Sequence, residues 1–522
     1  MVLFHAAPQS VRHPVRKRKV QTMTSTIKLD PENVVAPVGR RTFGSFVEHL
    51  GRCVYSGIFE PGHPAADALG FRGDVLDLVH ELGVTTVRYP GGNFVSGYRW
   101  EDGVGPADRR PRRLDLAWHS TEPNTFGVDE FMAWTKAAGV EPMMAVNLGT
   151  RGIQDALDLL EYCNIASGTQ LSDQRRANGA TQPYGVKMWC LGNEMDGPWQ
   201  IGGLTAHEYG RLASRTAKAM RMIDPTLELV ACGSSGSGMP TFGAWEREVL
   251  TQAYDDVDFV SAHAYYCEED GDLASFLASS VNMDYFIDSV VAAADEVGAA
   301  LKQLRRINIS FDEWNVWYQG RVESRLPSGD DWPMAPVLLE DKYNAADAVV
   351  VGSLLISLLR HSDRVRAACL AQLVNVIAPI MTQPSGPAWK QTIFHPFALT
   401  ARYARGDVLN LSVQCATVPT AKFGDVPALD AVATRDADTG ELALFLVNRQ
   451  VDGEQNVVVD LSATVGRKVA EAVVLSNPDV KWAASAADST SVAPKPLATR
   501  VQDGGLRFRL PPVSWAMVRF TV

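Results

Sequence analysis

The sequence predicts an α/β fold: a (β/α)8 TIM barrel followed by a C-terminal all-β, jelly-roll-like sandwich. Three observations predict it. The chain has 522 residues, more than one hydrophobic core usually holds, which favours one large and one smaller domain. From residue 42 to about 375, short apolar runs of strand length alternate with longer stretches of helical period. Beyond about residue 405 the helical patterns stop and short alternating segments take over.

Eight strand candidates can be placed, at residues 42–47, 85–89, 142–147, 186–191, 227–231, 259–262, 307–311 and 367–373. Helical segments lie between them at 75–82, 128–138, 206–223, 284–304 and 343–360. That many strands with crossover helices favour a closed barrel over an open sheet. Later strands are expected at 408–413, 431–434, 442–447, 456–461, 469–475 and 513–522, with Asp438-Thr439-Gly440 as a hairpin turn. The organisation read from this is a disordered extension over 1–22, a strand segment over 23–41 that can join the sandwich, the barrel over 42–400 and the sandwich over 401–522.

With 46% hydrophobic and 21% charged residues, the composition is that of a globular chain, not a disordered or fibrous one. The formal charge is −11; residues 1–22 hold five cations (Arg12, Arg16, Lys17, Arg18, Lys19) and no acid, so the remainder carries −16. So acidic a body argues against nucleic acid as substrate or partner. The N-terminal stretch has no apolar core ahead of a small-residue cleavage site and does not read as a secretory signal. The longest apolar run, 348–359, is far short of the ~20 residues that cross a bilayer. A cytoplasmic location without a membrane partner is expected. The seven cysteines are widely spaced and form no C-x-x-C pair, which predicts neither a disulfide framework nor a zinc site.

Chemistry collects where the apolar runs end. Glu48, Arg88 with Asn93, Asn147, Asn193 with Glu194, His263 with Tyr265, Glu313 and Gln372 each lie at or just after a strand candidate. In a (β/α)8 barrel the C-terminal strand ends share one face, so such positions line one pocket. Glu194 and Glu313 are 119 residues apart, about three βα units of roughly 30 to 40 residues, which matches strands four and seven. Two facing carboxyl groups supply what glycosidic hydrolysis needs: a proton donor for the leaving oxygen and a nucleophile or base for the anomeric carbon. A separation of about 5 to 5.5 Å means retention of configuration and about 6.5 to 9.5 Å inversion. Sequence spacing leaves both open and does not say which glutamate plays which part. Asn193, beside Glu194, is placed to donate to a sugar 2-hydroxyl. Trp189, Trp199, Trp314 and Trp317 flank the pair with flat faces of the kind on which sugar rings pack, and Trp199 and Trp317 are expected to bind substrate. His263 has no second histidine nearby and is expected to orient Tyr265 or the nucleophile, with no metal.

Five segments carry a resemblance. Gly44-Ser45-Phe46-Val47-Glu48-His49-Leu50-Gly51-Arg52, Arg88-Tyr89-Pro90-Gly91-Gly92-Asn93-Phe94, Leu191-Gly192-Asn193-Glu194-Met195-Asp196-Gly197-Pro198-Trp199, Asp312-Glu313-Trp314-Asn315-Val316-Trp317 and Gln372-Leu373-Val374-Asn375 resemble, in order, the motifs of the family 51 glycoside hydrolases, the intracellular α-L-arabinofuranosidases. They span roughly residues 40–400. The resemblance implies a retaining, exo-acting enzyme that removes terminal non-reducing α-L-arabinofuranosyl residues from arabino- and arabinoxylo-oligosaccharides by double displacement. It implies Glu194 as acid/base and Glu313 as nucleophile. Glu48, Asn93, Asn193 and Gln372 would hold furanose hydroxyls, and Tyr265 would hydrogen-bond the nucleophile. It also implies a homo-hexamer and no cofactor.

Other signals carry less. His207-Glu208 opens an H-E-x-x-H pattern that Arg211 ends, and Gly233, Gly236 and Gly238 lack the spacing of a phosphate loop. Asn308-Ile309-Ser310 and Asn410-Leu411-Ser412 match the glycosylation sequon inside predicted strands. Cys190 reads as a small buried apolar residue. Two competing readings stand beside the main one. The first is another barrel glycosidase, a β-xylosidase or endoglucanase, using the same carboxylates. The second is a carbohydrate-binding scaffold without turnover, against which the presence of both glutamates speaks.

Overall fold

The computed structural model describes residues 24–321, 324–464 and 466–522. The extension expected over 1–22 lies outside them. Eight parallel strands close into a barrel: β1 (Arg41–Phe46), β2 (Thr86–Tyr89), β3 (Glu141–Ala145), β4 (Met188–Leu191), β5 (Glu228–Ala231), β6 (Phe259–Tyr266), β7 (Asn308–Val316) and β8 (Val365–Leu370), with β8 pairing back onto β1. The barrel floor is plugged by Arg41, whose guanidinium bridges Glu141 and Glu228, both at 2.6 Å.

Two strands outrun their expected ends. β6 and β7 continue to Tyr266 and Val316, because they go on pairing with each other through His263↔Glu313 and Tyr265↔Asn315. Those side chains therefore stand on strand, which fixes their direction more firmly than loops would. The last barrel strand lies earlier than the expected 367–373, so Gln372 follows it in the loop.

Helices Val128–Ala138 and Ala206–Ile223 match their expected limits. In the second, Glu208 Oε2 accepts the Thr205 N–H at 3.1 Å in a capping box, so the His207-Glu208 pair opens a helix. Helix Gln170–Ala177 was not legible, since its sequence has no apolar stripe. Buried Arg175 holds it instead, donating to the carbonyls of Tyr162, Ile165 and Ala166. The long apolar run belongs to helix Ala345–Arg360, which is buried on nearly every side because it lies between barrel and sandwich. A Cβ on Gly352 would sit 2.2 Å from Trp515 Cδ1, so only glycine permits this close approach. Among the described residues no helix is long and apolar enough to cross a membrane.

The sandwich has two sheets. One runs in the order Val34–Pro37, Asp407–Leu409, Leu429–Arg435, Leu442–Asn448, Ser514–Thr521, Lys468–Leu475, Lys495–Pro496. The other runs Ser412–Gln414, Ser25–Lys28, Gln455–Asp460, Gly505–Leu510, Thr499–Gln502. Ile27, Leu444, Val459, Leu506 and Val518 share their common core. Leu429–Arg435 and Leu442–Asn448 form the hairpin around Gly440. The hairpin Thr499–Gln502 with Gly505–Leu510 was missed, although Asp503-Gly504 is its turn signal. Buried Asp430 joins the two domains, accepting from Arg360, Arg449 and, at 3.0 Å, Ser353 Oγ.

Candidate active site

The C-terminal strand ends open into a cavity of about 460 Å³ lined by Glu48, Asn93, Trp118, Glu194, Trp199, Tyr265, Glu313, Trp317 and Gln372. A larger cavity of about 780 Å³ lies at the junction with the sandwich; its acids, Asp284 and Asp430, are both ion-paired to Arg360.

Glu194 leaves β4 through a sharp turn, with Gly192 at φ +96° and Glu194 itself at +42°. A non-glycine residue held there costs about 1–3 kcal/mol, strain of the kind stored where a side chain must be aimed. Its Oε1 meets His263 Nδ1 at 2.8 Å, and its Oε2 accepts the Trp199 indole N–H at 2.7 Å. Glu313 Oε1 accepts from Arg88 Nη1 at 2.8 Å and its Oε2 from the Tyr265 hydroxyl at 2.7 Å. One oxygen of each glutamate lies within 4.8 Å of the other, a spacing compatible with the shorter, retaining arrangement. Burial, with the neighbouring Glu194, holds the Glu313 carboxyl above its ordinary value against the downward pull of His263, Arg88 and Tyr265.

His263, expected to orient Tyr265 or the nucleophile, stands beside Glu313 and makes its hydrogen bonds to two other carboxylates. Its Nδ1 bonds Glu194, its Nε2 bonds Asp312 Oδ1 at 2.9 Å, and Glu313 Oε2 stands 3.6 Å away. Burial alone would lower its pKa, but Glu313, Asp312 and Glu194 outweigh burial and hold the ring well above the ordinary value. Glu194, His263 and Glu313 are close enough to surround a cation, and both ring nitrogens already face carboxylates.

Glu48, just past β1, is held on both oxygens: Oε1 accepts from the Phe94 N–H at 2.9 Å and the Trp118 indole at 2.8 Å, Oε2 from Gln372 Nε2 at 3.0 Å. Burial pushes its pKa up to about 8, with Phe94 opposing. Asn193 is buried beside Glu194, its carbonyl accepting from Arg88 Nη2 at 2.8 Å and its amide reaching Asn93 at 3.2 Å and Gln200 at 3.3 Å. Trp199 is 51% exposed at the rim, and Trp317 packs edge-on against Tyr265.

Trp189 and Trp314 do not offer sugar-facing surfaces. Both are fully buried. Sequence reading missed Trp118, which reaches Glu48 from the turn of a short hairpin with no apolar period to expose it. It gave no role to Asp312, and noted Arg88 only as a strand-end charge. The signal for Arg88 was a cation inside an apolar run.

A closed parallel barrel with two buried glutamates converging on its mouth, each given its own hydrogen-bond donors, defines a glycoside hydrolase of the two-carboxylate type. Comparison with known proteins refines this. The description "Alpha-L-arabinofuranosidase 1 domain" matches residues 78–280 and "Alpha-L-arabinofuranosidase C-terminal domain" residues 312–514. A Streptomyces lividans protein named intracellular exo-α-(1→5)-L-arabinofuranosidase is 57% identical over 499 residues, 95% of this chain and 75% of that one. A Bifidobacterium longum protein named exo-α-(1→6)-L-arabinofuranosidase is 57% identical over 505 residues, 95% of this chain and 97% of that one. The solved structure of a family 51 α-L-arabinofuranosidase from Bifidobacterium longum superposes with a TM-score of 0.92 at 51% identity, covering 95% of this chain and 99% of that one. The chain belongs to the family 51 glycoside hydrolases, the α-L-arabinofuranosidases.

Proposed function

We propose that this chain is a retaining, exo-acting α-L-arabinofuranosidase in which Glu313 is the nucleophile and Glu194 the acid/base. One observation supports the assignment of roles. Both Glu313 oxygens are met by strong donors, Arg88 and Tyr265, which favour the attacking anion, whereas Glu194 sits beside Trp199 at the open rim where a leaving group would lie. Glu313 attacks the anomeric carbon as its bond to the glycosidic oxygen breaks, and that oxygen takes the proton of Glu194. Water then attacks the same carbon, gives its proton to Glu194, and the bond to Glu313 breaks. Glu48, Asn93, Asn193 and Gln372 hold the furanose hydroxyls, and Trp199 and Trp317 flank the ring and its aglycone.

The substrates are arabino- and arabinoxylo-oligosaccharides with terminal arabinofuranosyl units. The names of several relatives support a cytoplasmic location. A hexamer, supported by family resemblance, is tested by light scattering. Residues 42–400 are assigned to the catalytic barrel and 401–522 to the sandwich, to which the segment before the barrel adds Ser25–Lys28 and Val34–Pro37. Glu313→Ala tests the nucleophile: turnover of an activated aryl arabinofuranoside collapses, and azide restores it as an inverted arabinofuranosyl azide. Near wild-type turnover without azide removes Glu313 from the mechanism.

A further inference from the structure

Asp312 precedes the proposed nucleophile in sequence but lies behind it, 1% exposed and outside the substrate cavity. Its Oδ1 meets His263 Nε2 at 2.9 Å, its Oδ2 accepts the Cys190 thiol at 3.6 Å, and Arg88 Nε stands 3.8 Å from the same oxygen. The His263 ring is thereby wedged between two carboxylates, Asp312 on one nitrogen and Glu194 on the other. We propose that Asp312 is a positioning residue: it keeps His263 doubly protonated, so that a fixed cation stands between Glu194 and Glu313 throughout the reaction. This rests on the roles proposed above for those glutamates.

The geometry gives the cation two tasks. With Nδ1 always a donor to Glu194 Oε1, the transferable proton of Glu194 cannot settle on the ring and is left to Oε2, the oxygen beside Trp199. Standing 3.6 Å from Glu313 Oε2, the cation also favours the Glu313 anion despite burial and a second carboxylate nearby. The charged and titratable groups packed around the ring are Glu194 and Cys190 from β4 and its turn, Asp312 and Glu313 from β7, Arg88 from β2 and Tyr265 from β6. Asp196, after β4, lies further out and is tied to Ser235. Arg88 and His263 together hold Asp312 anionic against its burial.

The sign of one shift separates this role from a bystander's. Asp312 is an anion near Glu313, so by simple repulsion its removal would ease Glu313 ionisation and move the acid limb of kcat/KM to lower pH. If Asp312 acts by holding the His263 cation, Asp312→Asn loses the nearer cation, and the limb moves up by about one unit. In a His263→Gln background the same substitution then moves it little. Histidine-selective 15N NMR, with His263→Gln to assign the signal, reads the ring directly and needs no turnover. The wild-type ring stays doubly protonated at about pH 8, and in Asp312→Asn it loses its proton below the acid limb of kcat/KM, so that the limb is read with the ring neutral. A neutral wild-type ring at that pH overturns the proposal without any folded Asp312 variant. So does an unmoved or lowered limb in Asp312→Asn, or an equal rise in the His263→Gln background. Failure of Glu313→Ala to lose activity would instead refute the assignment of the glutamates and leave the NMR result standing.

Discussion

Replacing Tyr265 by Phe removes one hydroxyl and little else. The hydroxyl donates to Glu313 Oε2 at 2.7 Å, while the ring packs against Trp317 with centroids 5.1 Å apart, a contact phenylalanine keeps. A hydrogen bond to a charged group contributes about 1.5–3 kcal/mol, and one pKa unit corresponds to about 1.4 kcal/mol, so the loss is bounded at about one to two units. Arg88 still holds the other oxygen and His263 stands 3.6 Å away, which places the expectation at the lower end, about one unit. The sign follows from which form the hydroxyl serves. It donates to the anion, so its loss favours the protonated carboxyl and the Glu313 pKa rises. Because the attacking form is the anion, the acid limb of kcat/KM moves to higher pH. The assay is the pH profile of an activated aryl arabinofuranoside with circular dichroism as the fold control. An acid limb that stays put or moves to lower pH refutes the reasoning.

Three further outcomes are expected. Gly92→Ala would place a Cβ 3.2 Å from both Glu313 Oε1 and Glu48 Oε2, so activity falls sharply while denaturant unfolding changes by less than about 1 kcal/mol. Gly352→Ala would drive a methyl group to 2.2 Å from Trp515, and denaturant unfolding should report a loss of about 1–3 kcal/mol. Burial alone would raise Asp430, but Arg449 and Arg360 outweigh it and hold the carboxyl below its ordinary value. Its stabilisation is therefore full above about pH 3.9 and lost as pH falls toward the folded-state value. Asp430→Asn lowers the melting temperature at neutral pH, and calorimetry should show the gap to wild type closing in acid.

The barrel was legible because each strand announces itself as an apolar run and crossover helices follow at regular intervals. The two glutamates were legible because each directly follows or interrupts such a run. What escaped was set by distance in three dimensions. Arg88 and Glu313 are 225 residues apart and meet only when the barrel closes, and Trp118 reaches Glu48 from a hairpin without apolar period. The extension of β6 and β7 is a property of the pair: His263 and Glu313 are polar, and only their mutual register shows that the strand continues through them. Assignment of acid and nucleophile came only from the Asn193-Glu194 context and the family motifs. Two carboxylates look alike until the surrounding donors are known.

The central claim is a covalent intermediate on Glu313, and peptide mapping tests it most directly. Glu194→Ala treated with an activated aryl arabinofuranoside can form the glycosyl-enzyme but lacks the base that resolves it. The account predicts one added pentosyl unit on the peptide containing Glu313. No adduct, or an adduct on another peptide, would contradict it.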